Sequence, residues 1–158
     1  MTKRWNAADA TQELLAVLPL IMRIVAGAVK HEAGADLTMP QYRVLALLAE
    51  DAQTATTLAK RRRVSLPTMG ALVQALVERG FVSRIPDPRD RRQQLLELTE
   101  IGRDRYQRAE VRAIRQLQPL LATLSDEELL AVQIALPALH RALTNDEEQV
   151  IDGDAASD

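Results

Sequence analysis

The sequence predicts a mainly α fold with one short antiparallel ribbon, and three observations in the middle of the chain carry that reading. A helical segment over Thr57–Arg63 encloses apolar Leu58 and Ala59 and ends in four consecutive cations, Lys60 to Arg63. A second helix is predicted from about Leu66 to Arg79. Ser65 stands where an N-cap acceptor is wanted, Pro67 falls in the first turn, and Gly80 follows the end, where a left-handed residue is cheapest. Its apolar positions Met69, Leu72, Val73, Leu76 and Val77 recur at helical spacing, so one face is buried. The ribbon pairs Phe81–Arg84 with Gln94–Leu98 across a tip, Pro86 to Arg92, rich in turn formers and charge. Helix, turn, helix and basic hairpin together make a winged helix-turn-helix, a layout that lies on double-stranded DNA.

Charge distribution points the same way. From Thr54 to Arg105 there are eleven Lys and Arg against six Asp and Glu, a local net of +5. The whole chain is −2, so the remainder carries −7. A basic middle between acidic ends is the electrostatic footprint of a phosphate-binding surface.

Composition bounds the rest. A chain of 158 residues with 47% hydrophobic content can build a real core. It has no cysteine, which excludes disulfides, thiolate catalysis and thiol redox sensing. His31 and His140 stand apart without metal-ligand spacing, so neither a metal nor a cofactor is expected. No nucleophile–base pair or phosphate-cradling glycine loop is visible, which argues against an enzyme. The longest apolar run, Leu14 to Met22, is too short to span a bilayer and is interrupted by Pro19. No signal peptide follows Lys3 and Arg4, so the expected location is cytoplasmic.

Taken in order, the first ten residues read as loose, with Trp5 free to dock on the body or on a partner subunit. A helix follows from about Ala10 to Glu32. Leu14, Leu18, Ile21, Val25 and Val29 form its stripe, and Leu15, Val17, Met22 and Ile24 widen it beyond one face, so it needs cover from two sides. Pro19 should kink it or break it near Leu15. Thr38 and Gln41 form a capping box for the next helix, with Pro40 in its first turn and an end near Glu50. Asp51–Ala55 reads as a polar connection. Thr99 should cap a helix to about Leu124, wet along Arg105, Arg108, Arg112 and Arg115. Ser125 and Glu128 form a second capping box, opening a last helix to about Leu143. Residues 145–158 hold six acids and no base and read as a disordered tail.

The terminal helices carry more apolar surface than the reading head can cover, and a symmetric homodimer would bury it. The organisation expected is therefore a dimerisation helix in 1–36, a winged helix-turn-helix lobe in 37–102, dimerisation helices in 103–144 and the acidic tail. Such a dimer sets two recognition helices one DNA turn apart, roughly 34 Å, on a near-palindromic site.

Several stretches resemble the MarR family of bacterial transcriptional regulators: L-T-x-x-Q-Y-x-V-L over Leu37–Leu45, L-A at Leu58, V-S-x-P-T over Val64–Thr68, and R-x-x-D-P-x-D-R-R with a trailing L-T-x-x-G over Arg84–Gly102. The similarity covers about residues 10–143, and the wing motif is its most specific part. It implies a homodimeric winged-helix repressor, released from its operator by a small, often aromatic, ligand between the dimerisation helices and the DNA-binding lobe.

Residue roles follow from the physics and the resemblance together. Ser65, Thr68, Met69, Gly70 and Gln74 lie on the exposed or N-terminal part of the recognition helix. Gln74 can contact adenine bidentately, and Thr68 a phosphate, a base edge or a thymine methyl. Alternatively, Ser65 and Thr68 only cap the helix and Met69 is core. Arg92 is placed in a narrow A·T-rich minor groove, with Asp90 bracing its guanidinium as in the family's D-x-R pair. Arg61, Arg62, Arg63, Arg84, Arg89 and Arg91 would hold phosphates, giving affinity and register without sequence information. One departure stands out: Gly70-Ala71 occupies the mid-helix place where family members often carry a polar residue and Arg. For the effector, Met22, His31, Met39, Tyr42, Arg43 and Tyr106 are candidates, each with the alternative that it merely packs. The rival reading is a winged helix that coats DNA without sequence preference or contacts protein.

Overall fold

Helix starts in this chain are set by local capping, and the computed structural model, which describes residues 6–33 and 37–155 (side chains to 31 and from 37 to 144), bears this out element by element. Helix α1 spans Ala7–Ala33. It begins three residues before the expected start because Asn6 caps it, its Oδ1 accepting the Ala8 and Asp9 amides at 2.8 and 3.1 Å. Helix α2, Met39–Glu50, starts with both arms of the Thr38–Gln41 capping box in place. Helices α3 (Ala55–Arg62), α4 (Leu66–Glu78) and α5 (Glu100–Leu121) start from Thr54, Ser65 and Thr99, each side chain accepting the amide three residues on. Ser125 and Glu128 exchange the same pair of bonds before α6, Asp126–Ala155. Trp5 lies outside the described residues.

Three strands complete the head. Strand β2 (Val82–Pro86) pairs with β3 (Gln94–Leu98), and β3 also pairs with β1 (Gln53–Thr54), both antiparallel. The sheet order is β1-β3-β2. Strand β1 corrects the reading of Asp51–Ala55 as a mere connection. Two residues show no periodicity, and only the exposed edge of β3, opposite Leu95 and Leu96, calls them into a strand.

One core joins these elements. Leu45, Leu58, Met69, Leu76 and Val82 are fully buried, with Val29 from α1, Leu96 from the sheet and Ala109 from α5 sealing its sides. Helix α1 lies along α5 as its main support.

Several expectations need correction. Pro19 does not break α1, which is one continuous helix; a proline removes a single amide donor, and the flanking turns carry the helix across. Helix α5 ends at Leu121 rather than Leu124. The acidic stretch is not simply a disordered tail, because α6 continues to Ala155. No glycine or proline separates Pro137 from Gly153, so no stop signal was there to end it. The membrane argument also changes. Ala7–His31 is long and apolar enough to cross a bilayer on length and composition, with mean hydropathy 1.7. Arg23 is the lone charge between Glu13 and Lys30, so counting an uninterrupted run understated the helix; its seat against α5 gives it a place within a protein body.

Two glycines have opposite meanings. A Cβ on Gly102 would lie 1.9 Å from the Phe81 carbonyl oxygen, whereas one on Gly70 meets nothing within 4 Å. Gly102→Ala should therefore lose about 2–3 kcal/mol of stability. Gly70→Ala, in the interior of α4, should gain about 0.5–1 kcal/mol. Urea unfolding of the two variants checks both signs, and a neutral Gly102→Ala would show that the close approach carries no constraint.

Candidate nucleic-acid interface

Helix α4 turns Met69, Val73 and Leu76 into the core and leaves Thr68, Ala71, Gln74 and Glu78 exposed, residues spaced three and four apart along one face. Met69 is therefore corrected: at 0% exposure it anchors the helix and is unavailable to DNA. Its neighbours Leu66, Pro67 and Thr68 are exposed, so the N-terminal turn of α4 projects freely. Ser65 caps this turn, its Oγ accepting the Thr68 amide at 3.2 Å and lying 2.8 Å from the Thr68 hydroxyl. The capping alternative thus describes both residues in the free chain, and both stay exposed. Gly70 is half-buried behind them.

Gln74 is held at both ends of its amide. Its Oε1 accepts from Arg84 Nη2 at 3.0 Å and its Nε2 donates to Glu78 at 3.0 Å. Arg84, expected on phosphate, reaches from β2 to Gln74 on the exposed face of α4 in the free chain. Arg61 also differs from expectation. Its guanidinium is tied to Glu50 of α2 at 3.1 Å and its side chain is only 18% exposed. Arg79, which the sequence did not single out, donates from Nη1 to Gln41 Oε1 at 3.2 Å and so joins the end of α4 to the capping box of α2.

The wing tip behaves differently. Arg89, Arg91 and Arg92 are exposed and hold no ion pair among the described residues. Asp90 does brace Arg92, but through the backbone: its Oδ1 accepts the Arg92 amide at 3.0 Å, while Oδ2 lies 3.4 Å from Gln93 Nε2. Asp87 accepts the Arg89 amide at 2.8 Å in the same manner. The two carboxylates set the loop's shape and leave the guanidinium groups pointing outward. Between α3 and α4, Arg63 takes a left-handed conformation, φ 51° and ψ 45°, closing α3 with its amide bonded to Ala59 and Lys60 carbonyls. Arg62 is half-buried beside it.

Away from this face, α1, α2 and α5 bring four of the six effector candidates into two pairs. Tyr42 and Tyr106 stack with ring centroids 5.5 Å apart, and Arg43 Nη2 lies 3.8 Å from the Met22 sulfur. Met39 packs against the core, and His31 is exposed at the end of α1. Burial raises both tyrosine pKa values, with the Glu110 carboxylate adding to it, and Tyr106 is pushed up to about 12. The Tyr106 hydroxyl lies 3.3 Å from Glu110.

Comparison with known proteins now fits this geometry. A family model described as MarR family matches residues 35–93, from just before α2 to the wing tip. The uncharacterised HTH-type transcriptional regulator YfiV of Bacillus subtilis is 35% identical over 115 residues, covering 70% of this chain and 69% of that protein. The chain belongs to the MarR family. Among solved structures, RV1404 from Mycobacterium tuberculosis superposes with TM-score 0.77 at 26% identity, covering 88% of this chain and 95% of that one. Streptococcus pneumoniae FabT, solved in complex with DNA, superposes with TM-score 0.71 over 89% of this chain and 99% of that one; at 18% identity this likeness concerns the fold. As a MarR-family helix-turn-helix transcriptional regulator the protein is a DNA-binding protein and not an enzyme.

Two outcomes follow from these local geometries. The two tyrosines favour the neutral phenol in the folded state, so their contribution to stability is complete below pH 10 and is lost as pH rises above it, for Tyr106 through about 12. Ultraviolet titration of tyrosinate should show ionisation displaced above the ordinary value in folded protein and returned to it in denaturant. Arg63→Gly should relieve the left-handed strain and raise stability by about 1 kcal/mol; an unchanged or lower melting temperature would mean that the arginine side chain is holding the turn.

Proposed function

We propose that the protein is a homodimeric repressor that binds a near-palindromic operator through α4 and the wing and is released by a small aromatic ligand. The observation that carries this reading is the pairing, on one side of the head, of a projecting α4 N-terminus with outward, unpaired wing arginines. A helix with its N-terminal turn free enters a major groove, and a cationic loop beside it reaches the adjacent minor groove. In that pose Gln74 reads a base edge while Arg84 steadies it, Arg92 enters the minor groove, and Arg62, Arg63, Arg89 and Arg91 neutralise phosphates. A relative of the same fold, FabT, was solved in complex with DNA. Working on the chromosome places the protein in the cytoplasm.

The dimer rests on exposed apolar surface. Leu15, Leu20 and Ile21 on α1 are 61%, 51% and 39% exposed, and Ile134, Leu136 and Leu143 on α6 are 66%, 58% and 64% exposed. A monomer rarely leaves so many large apolar side chains wet. Residues 1–36 and 103–144 form the dimerisation region of this reading and 37–102 its DNA-binding lobe. The stacked Tyr42–Tyr106 pair, where α1, α2 and α5 meet, supports the site of an aromatic effector.

The test is a gel shift on the DNA upstream of its own reading frame at about 150 mM salt, a condition that suppresses non-specific binding, with light scattering for mass. The reading expects a dimer and one protected palindrome. Arg92→Ala should cost about 1–3 kcal/mol on that site and much less on random DNA. Gln74→Ala and Arg84→Ala should be non-additive, because each removes the other's partner. Equal losses on operator and random DNA would favour the sequence-independent rival, and a monomer mass would remove the dimer.

A further inference from the structure

We propose that Met22 is an oxidation site whose sulfoxide is received by Arg43, so that the joint between α1 and α2 responds to peroxides. Arg43 Nη2 lies 3.8 Å from the Met22 sulfur, and both residues are half-buried. Among the described residues this sulfur is the one hydrogen-bond acceptor of the Arg43 side chain. A thioether is a weak acceptor, so a guanidinium partly removed from water gains little from it. Oxidation converts the sulfur into a polar group with a strong acceptor oxygen. In most packed surroundings that change is damage; here a donor stands ready for it. The position also suits reaction. Along the stripe Leu18, Met22, Val25 and Val29 the side chains pass from exposed through half-buried to buried. Met22 thus stands where α1 leaves the cover of the body, within reach of a small oxidant. Met69 is sealed at 0% exposure and Met39 packs against the core, and the chain has no cysteine to compete.

In the reaction the sulfur lone pair attacks one oxygen of hydrogen peroxide. The S–O bond forms as the O–O bond breaks, and the proton on the transferred oxygen passes to the departing hydroxide, giving water. Sulfur is oxidised and the peroxide reduced by the same electron pair, and methionine sulfoxide reductase restores the thioether. An oxygen placed between the sulfur and Nη2 does not fit their present spacing, so the two residues must part. Helix α2 carries α3 through the Arg61–Glu50 pair and α4 through the Arg79–Gln41 bond, whereas α1 lies along α5. A shift at this joint therefore moves α4 relative to α1. The regulatory consequence rests on the dimeric DNA-binding reading above, in which α1 belongs to the dimerisation region. Two heads on one duplex must match its helical turn, and the sulfoxide form matches it less well.

The experiment treats the full chain and its Met22→Leu and Arg43→Leu variants with graded hydrogen peroxide, each compared with its own untreated form. Peptide mass mapping should find the added oxygen on Met22 before Met39 and about tenfold sooner than on Met69. Oxidation should lower the melting temperature by less than about 2 °C where Arg43 is present, and by about 5 °C or more in Arg43→Leu, where the sulfoxide has no donor. Fluorescence anisotropy on operator duplex should show about threefold to tenfold weaker binding by the oxidised full chain, restored by the reductase and absent in Met22→Leu. Met22→Gln, which brings an amide oxygen to the same place without any oxidant, should weaken binding in the same direction. Oxidation of Met39 ahead of Met22, or equal melting losses with and without Arg43, would overturn the site. An operator affinity unchanged by oxidation of Met22, or changed equally in Met22→Leu, would overturn its regulatory role. If neither the oxidised nor the untreated chain binds the duplex, the DNA-binding reading falls and the regulatory role with it, while the mass and melting measurements still decide the site.

Discussion

Everything presented by the reading head depends on a knot of main-chain contacts around Thr99. Its hydroxyl donates to the Gly80 carbonyl at 2.6 Å and accepts the Gly102 amide at 3.0 Å, while its own amide donates to the Phe81 carbonyl at 3.1 Å. Gly80, at φ 71°, turns the chain out of α4, and Gly102 lets α5 pass against the Phe81 carbonyl with no room for a side chain. The end of α4, the start of β2, the end of β3 and the start of α5 are thereby joined within a few ångströms. Such a joint has little freedom, because each group is both sterically fitted and hydrogen-bonded. Helix α5 thus leaves the head at a set angle, and the wing stands in a set relation to α4.

Within that frame the cations divide their labour. Arg61 and Arg79 bond Glu50 and Gln41 and so tie α3 and α4 to α2. Arg84 holds Gln74 on the exposed face of α4. The wing arginines Arg89, Arg91 and Arg92 are left outward, their loop shaped by Asp87 and Asp90 acting on backbone amides rather than on guanidinium groups. A pairing of carboxylate with amide costs the arginines none of their charge, which is why an acidic residue in a basic loop is compatible with meeting phosphate. The small pair Gly70-Ala71 leaves the middle of α4 without a long side chain, and the Gln74–Arg84 pair is the polar feature nearest to it on the exposed face.

The apolar balance of the molecule is split in a similar way. Head residues such as Leu45, Leu58 and Leu76 are fully sealed, while α6 and the first half of α1 carry leucines and isoleucines mostly in water. The hydrophobic effect scales with the area removed from water, so the core that α1 and α5 help to seal is satisfied while α6 and the first half of α1 still seek cover. An apolar cleft of about 680 Å³ between Leu14 and Val17 of α1 and Leu139 of α6 belongs to this unsatisfied surface.

Helix starts were readable from residues alone because capping is local: Thr38, Ser65, Thr99 and Ser125 each bond an amide three positions on, and nothing beyond the next turn is consulted. The basic hairpin and the buried stripe of α4 were readable for the same reason, since turn chemistry and helical period are properties of short segments. Other features needed the folded chain. Strand β1 exists only opposite β3, 43 residues away where Gln53 faces Leu96. Which cations point outward depended on Glu50, Gln41 and Gln74, distant residues whose approach no spacing announces. Whether Met69 faced core or groove turned on the rotation of α4 about its axis, which the surrounding core decides. Local chemistry specified the pieces, and long-range packing chose which of their surfaces remain available to a partner.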